Sequence, residues 1–303
     1  MNEKDAWSKL RWATRRRWAN RAIDQMSQAI AGNQDSDMVY DFNKKPSDKC
    51  FPDLHSNMWT VTNDLRQSLG EFTDEELNFE KVFKSKEFYI VHASDKNLIN
   101  KPDNLKRDLN IYSRLRLEEK GIPFSDNHTT ITDMEDLGNN DYVFFSLEVG
   151  QTPKKIKSRF GNYFYRIRYS GGNLSLRYSS MTLFDQIDPV SHLSKFPAER
   201  KRLLDYLKIT DNSKQHLRAR RLRRGTSFFS GALNSINGLL NSIIRDIRLL
   251  ENESDRKKLL SARSDDDINM IVNALYRPEV RVPRMIGFVE GDYEMITPEM
   301  LGR

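Results

Sequence analysis

Only one cysteine, Cys50, stands among the 303 residues. No internal disulfide can form, and no cysteine-based metal cluster can be built. Its surroundings, PSDKCFPDLH, offer no evident activating base for a thiolate nucleophile. Long hydrophobic runs are missing as well: no stretch approaches the roughly 20 apolar residues that a membrane helix needs. The N-terminal MNEKDAWSKLRWATRRRW carries charge without an apolar segment, so it does not read as a Sec signal peptide, and a secretion route that needs no such signal stays open. The chain also lacks a glycine-rich phosphate loop of the P-loop or Rossmann type, HExxH and paired Cys-x-x-Cys. It has no G-x-S-x-G elbow and no kinase motif set. The five histidines, at 55, 92, 128, 192 and 216, are not spaced as a metal site. These absences set aside the common hydrolase, kinase and metalloenzyme readings, and no repeat unit or low-complexity tract replaces them.

What is present is a polar globular composition, 38% hydrophobic and 30% charged, enough for one good core with a smaller helical attachment. The net charge of +6 is clumped. One basic run spans Lys9 to Arg21, a second holds Lys154, Lys155, Lys157 and Arg159, and a third spans Lys214 to Arg224. Such runs serve nucleic acid, anionic lipid, an acidic partner or a phosphate-bearing cofactor, or they are solvated helix faces.

Along the chain, 5–31 reads as a helix with an intermittent apolar side and 33–57 as a linker. Two short helices follow, the second opening at Thr73, where T-D-E-E has the form of a capping box. EFYIVHAS (87–94) and NNDYVFFSLEVG (139–150) read as strands, the second sending Tyr142 and Phe144 to one face and Phe145 to the other. KRDLNIYSRLRLEEK (106–120) reads as a helix ending at Gly121. YFYRIRY (163–169) alternates like a half-exposed strand, and SGGN leads it into a hairpin with LSLRY. From about 196 the pattern is helical. Phe229, Leu233, Ile236, Leu240, Ile243, Ile247 and Leu250 repeat at steps of four and three, which makes one seam. That seam is either a core helix or, with the basic run before it, a docking helix of the calmodulin-target type. VPRMIGFV (282–289) reads as a strand returning to the sheet.

Four segments in order, FYIVHASDKNL (88–98), NNDYVFFSLEV (139–149), SRFGNYFYRI (158–167) running on to MTLFDQID (181–188), and YRPEVRVPRM (276–285), resemble the catalytic domain of the OspC family of type III secreted effectors. The likeness takes in roughly residues 86–290. It implies an α+β fold: an ADP-ribosyltransferase-like split β-sheet core, with N-terminal helices and an inserted helical segment at about 196–276. Residues 1–85 would form a helical region for secretion and recruitment, and 86–303 the catalytic domain. The implied activity is arginine ADP-riboxanation: NAD donates ADP-ribose to an arginine of a host protein and the product cyclises with loss of ammonia. The implied substrates are host proteins of the caspase or kinase class. The implied setting is the host cell cytosol after type III secretion, with host calmodulin as activator through 214–250 and a secretion chaperone at the N-terminus. The family's C-terminal ankyrin repeats have no counterpart before Arg303, so recruitment is expected from the N-terminal helix or from 214–250.

Cleaving nicotinamide from NAD asks for cations at the pyrophosphate, an aromatic wall for the ring and a carboxylate near the ribose. The resemblance assigns the carboxylate to Glu279, the orientation or deprotonation of the substrate arginine to Asp185, and a contact with the adenosine ribose to His92. Arg159 would meet the pyrophosphate, Phe160 would stack on nicotinamide, and Gly161 would allow close backbone approach. No metal is expected. The more distant HopF and EspJ effectors share an arginine before a Phe-Gly and offer the alternative of simple ADP-ribosylation of a host kinase. Two readings from other classes are a basic nucleic-acid-binding protein, set back by the absence of any recognisable module, and a binding protein with a degenerate NAD fold.

Overall fold

The computed structural model describes residues 62–63, 65–100, 108–124, 142–155, 158–172, 176, 179–183, 227–228, 231–248, 250, 252–283 and 285–301. The N-terminal helix 5–31, the linker 33–57, most of LSLRY, Asp185, the helical stretch 196–226 and the basic runs 9–21 and 214–224 lie outside the described residues.

Helix α1, Asp74–Ser85, starts where the capping box puts it. The Thr73 hydroxyl accepts from the Glu76 amide at 3.3 Å, and the Thr73 amide donates to the Glu76 carboxylate at 2.9 Å. Three acidic residues in the first turn and Lys84 in the last suit the helix dipole. Phe79 and Phe83, four apart and fully buried, lie on one face. Phe83 meets Phe88 of strand β1 (Phe88–Ser94) with ring centroids 5.1 Å apart. Each buried phenylalanine contributes about 1.5–3 kcal/mol. Together they seat α1 in the same core as the sheet.

The segment read as one helix over 106–120 splits instead. Asp108–Tyr112 is strand β3, after the short β2 at Ile99–Asn100, and only Arg114–Glu119 forms a helix, α2. The division falls at Ser113, whose side chain accepts from the Arg116 amide and caps α2. Buried Leu109 and Ile111 alternate with half-buried Asn110 and Tyr112, the period of a strand.

Strands β4 (Tyr142–Val149), β5 (Tyr163–Arg168), β6 (Ser180–Thr182), β7 (Ser227–Phe228), β8 (Glu279–Pro283), β9 (Met285–Phe288) and β10 (Tyr293–Ile296) complete two sheets. The larger has seven strands in the order β10-β5-β1-β4-β8-β6-β7, and the smaller has three in the order β2-β3-β9. All described pairings are antiparallel. The expected single strand over 282–289 is therefore two: β8 stays in the large sheet, and β9 crosses to pair with β3. The α+β assignment stands, and the split arrangement of sheets is compatible with an ADP-ribosyltransferase-like fold.

Two further expectations change. β5 is not half-exposed: four of its six residues are buried, Arg166 among them at 1% exposure. Nor is a hairpin with LSLRY possible, because β1 and β10 take both of its edges. Within its described residues the seam read over 229–250 is a core helix. Helix α3, Ala232–Arg248, buries thirteen of its residues, including Leu239, Leu240, Ile243, Ile244 and Ile247. Leu233 of the expected seam is instead exposed. Gly238 lets the Phe228 ring lie against this helix, since a Cβ there would stand 2.2 Å from the ring. Helix α4 (Glu253–Leu260) follows. Helix α5 (Asp265–Leu275) is capped reciprocally by Ser264 and Asp267. α5 is tied to β4 by side chains: Asn269 accepts from the Val149 amide, and Asn273 donates to the Leu147 carbonyl.

Candidate active site

Alternation divides the large sheet into two chemically different faces. Val143, Phe145, Leu147 and Val149 of β4, with Val280 and Val282 of β8, belong to the main core. The opposite face carries Phe144, Ser146 and Glu148 of β4 and Glu279 and Arg281 of β8. Register aligns one cross-strand row over all seven strands: Glu294, Arg166, Val91, Ser146, Glu279, Thr182 and Ser227. The sheet thus sets Glu279 directly opposite Ser146 on one side and Thr182 on the other.

Glu279 opens strand β8 and is half-buried. The Arg281 guanidinium donates twice to its Oε1, from Nε at 2.9 Å and Nη2 at 2.6 Å. Arg281 itself is buried and lies 5.2 Å from the centre of the Phe144 ring. A carboxylate gripped by a guanidinium fork on a paired strand has a fixed direction, the preorganisation that a reacting charge requires. Two residues earlier, Arg277 holds φ at 147° ahead of Pro278. A side-chain-bearing residue in that region stores about 1–3 kcal/mol, a kind of strain that clusters at functional sites.

The loop after β4 returns over this face. The Lys155 amide donates to Glu148 Oε1 at 2.6 Å and the Lys154 amide to Oε2 at 3.4 Å. Lys155 Nζ then reaches Ser146 Oγ at 3.1 Å. Burial lowers the pKa of the Lys155 ammonium, and the neighbouring Arg277 lowers it further, against the pull of Glu148 and Glu279. Behind the loop, buried Arg166 donates to Glu148 Oε2 at 3.3 Å and to Glu294 at 3.0 Å, also bonds the Gly150 carbonyl, and stacks 3.4 Å from the Tyr89 ring centre.

His92 is half-buried near the end of β1. It pairs in register with Tyr165 and lies 5.6 Å from the Phe145 ring, so it faces the core side, opposite to Glu279. Its Nδ1 is 2.9 Å from the Phe144 carbonyl. A carbonyl only accepts, so Nδ1 carries the proton and Nε2 is left as the acceptor. Burial pushes the imidazole pKa below 6.5, which favours that neutral form, and the Lys155 charge acts in the same direction.

Arg159, Phe160 and Gly161 form a turn latched to the end of β1. Gly161 has φ at 131°, and a Cβ there would stand 2.1 Å from the Ser94 carbonyl carbon. The bare α-carbon is therefore used by the Ser94–Asp95 backbone. This contact carries Phe160 outward, 40% exposed, with Arg159 4.8 Å from its ring centre. The structure thus brings the turn 158–161 to the strand of His92, and sets Glu279 two strands away from β1. Asp185 lies outside the described residues. Sequence reading placed Lys155 in a basic run fit for a phosphate-bearing cofactor, among other readings, and missed Glu148, Arg166, Arg277 and Arg281 as members of this neighbourhood. Arg281 carried a signal, since i and i+2 on a strand share a face. Glu148 and Arg166 carried none, because only register joins them.

No model of a known protein family matches the chain. The arginine ADP-riboxanase OspC1 of Shigella flexneri is 26% identical over 239 residues. The similarity covers 74% of this chain and 47% of that protein, so the chain spans about half the length of the curated relative it matches. It supports the resemblance to OspC proteins and lends nothing to the HopF and EspJ alternative.

Proposed function

We propose that this chain is an NAD-consuming enzyme that modifies an arginine of a host protein by ADP-riboxanation, acting in the host cytosol after type III secretion. The observation that carries the reading is the similarity to an arginine ADP-riboxanase, in a chain whose Glu279 is fork-held on a sheet face that also bears Lys155 and Arg277. The donor set suits the substrate: cations for the pyrophosphate, a fixed carboxylate for the ribose and an exposed aromatic ring for the nicotinamide. NAD supplies the ADP-ribose and nicotinamide leaves. Glu279 holds a ribose hydroxyl and faces the positive charge that develops on the sugar. Asp185 orients or deprotonates the incoming arginine. Arg159 contacts the pyrophosphate and Phe160 stacks on nicotinamide. Gly161 serves by seating their turn on Ser94–Asp95. His92, on the face of the sheet opposite to Glu279, offers Nε2 to the adenosine ribose and not to the ribose that Glu279 holds. Calmodulin, if it engages 214–250, must do so without drawing on the apolar side of α3, which is spent in the core.

The test is intact-mass and peptide analysis of host-cell extract incubated with the protein and NAD, with and without calmodulin. The expected product is an arginine carrying ADP-ribose less ammonia, abolished by Glu279→Gln in a folded protein. A full ADP-ribose adduct would replace riboxanation by simple transfer, and transfer at the wild-type rate by the variant would remove Glu279 from the chemistry.

A further inference from the structure

The Lys155 ammonium occupies a costly position. It is half-buried, it has Arg277 as a like-charged neighbour, and those two effects together outweigh the two nearby carboxylates. Lys155 is partly desolvated and Arg277 beside it is exposed, so their like charges raise the free energy of the empty protein at Lys155, and an anion between them would lower it. The lysine does not stand there loosely. Glu148 takes its amide at 2.6 Å and the preceding amide with the other oxygen, and buried Arg166 grips both that carboxylate and the Gly150 carbonyl at the start of the loop. The loop is therefore clamped at both ends by one ion pair inside the sheet. The Lys155 side chain is laid along Ser146, the residue directly opposite Glu279. A lysine that merely covered the sheet would not need a fixed backbone or a cationic neighbour in a strained conformation.

We infer that Lys155 is a substrate-contacting residue which, with Arg277, binds a phosphate oxygen of the dinucleotide beside Glu279, and that Glu148 and Arg166 are positioning residues for it. This rests on the NAD-consuming reading above and adds to it the residue that takes the pyrophosphate from the sheet side.

The experiment is calorimetric titration of the full chain with ADP-ribose, and with inorganic pyrophosphate as competitor. Thermal unfolding of each variant is recorded in parallel. Losing one charge-assisted contact, Lys155→Met should weaken ADP-ribose about 10- to 100-fold. Lys155→Arg should retain most of the affinity, and pyrophosphate should compete in the wild type. Glu148→Gln, with Lys155 intact but its backbone less firmly held, should raise the KM for NAD more than it lowers kcat. Lys155→Met that is folded and binds ADP-ribose like the wild type would overturn the assignment while leaving the NAD-consuming reading in place. A wild-type chain that binds neither ADP-ribose nor NAD would overturn both. Should Lys155→Met fail to fold, Lys155→Arg together with the pyrophosphate competition decides: absence of competition in the wild type refutes the proposal.

Discussion

Replacing Arg166 by methionine tests the clamp in the sheet. The guanidinium is buried to 1% exposure, and Glu148, its partner at 3.3 Å, to 4%. At an effective dielectric of about 20 such a pair attracts by about 5 kcal/mol, most of it offset by desolvating the two charges. Removing one partner discards the attraction and leaves the other charge buried, which costs about 3–5 kcal/mol. The arm to Glu294 adds less than about 1 kcal/mol, because that side chain is 56% exposed and screened. The Glu148 arm therefore dominates, and Arg166→Met should lower the thermal midpoint by roughly 6–20 °C. Equilibrium urea unfolding followed by circular dichroism measures the loss. A cycle with Glu148→Gln should return a coupling of about 0.5–3 kcal/mol. Arg166→Met costing under about 1 kcal/mol, with additive singles, would refute the account of the clamp.

Gly161→Ala adds a Cβ where φ is 131° and the Ser94 backbone stands 2.1 Å away, so it should cost at least about 1–3 kcal/mol and lift the 158–161 turn, read by urea unfolding and by proteolysis within that turn. Tyr276→Phe removes the hydroxyl that donates to buried Asp246 just ahead of the strained Arg277, with an expected loss of about 1.5–3 kcal/mol in the same assay. His92 has a pKa below 6.5 in the folded chain, so the unfolded chain binds the proton first on acidification. Its contribution is full above pH 6.5 and is lost as pH falls toward the folded value, so the stability advantage of wild type over His92→Asn should shrink between neutral pH and about pH 5.

Local chemistry determined much of this protein from sequence alone. The capping box at Thr73 fixed the start of α1, because a hydroxyl and a glutamate three residues apart satisfy orphan amides wherever they occur. Alternation in β4 separated Phe144 from Phe145, and the four-three spacing over 229–250 marked a helix that the core then absorbed. The segment 106–120 was misread as one helix because its apolar spacing suits either period over so short a run, and only pairing with β9 decided for a strand. The same holds for β5: both its edges and both its faces are covered, and no signal inside YFYRIRY says so. Of the candidate site, Glu279 was legible through the resemblance and Arg281 through its spacing. Lys155 stood in a basic run, but its meeting with Glu148 and Arg166 was not legible, since the three join only through register between strands far apart in the chain and a loop that folds back over one of them. The sequence by itself determined which segments could be helix or strand, since capping and periodicity act within a few residues. The tertiary structure alone decided which charges share a face, because that depends on strand order, and strand order is set by the packing of the whole core.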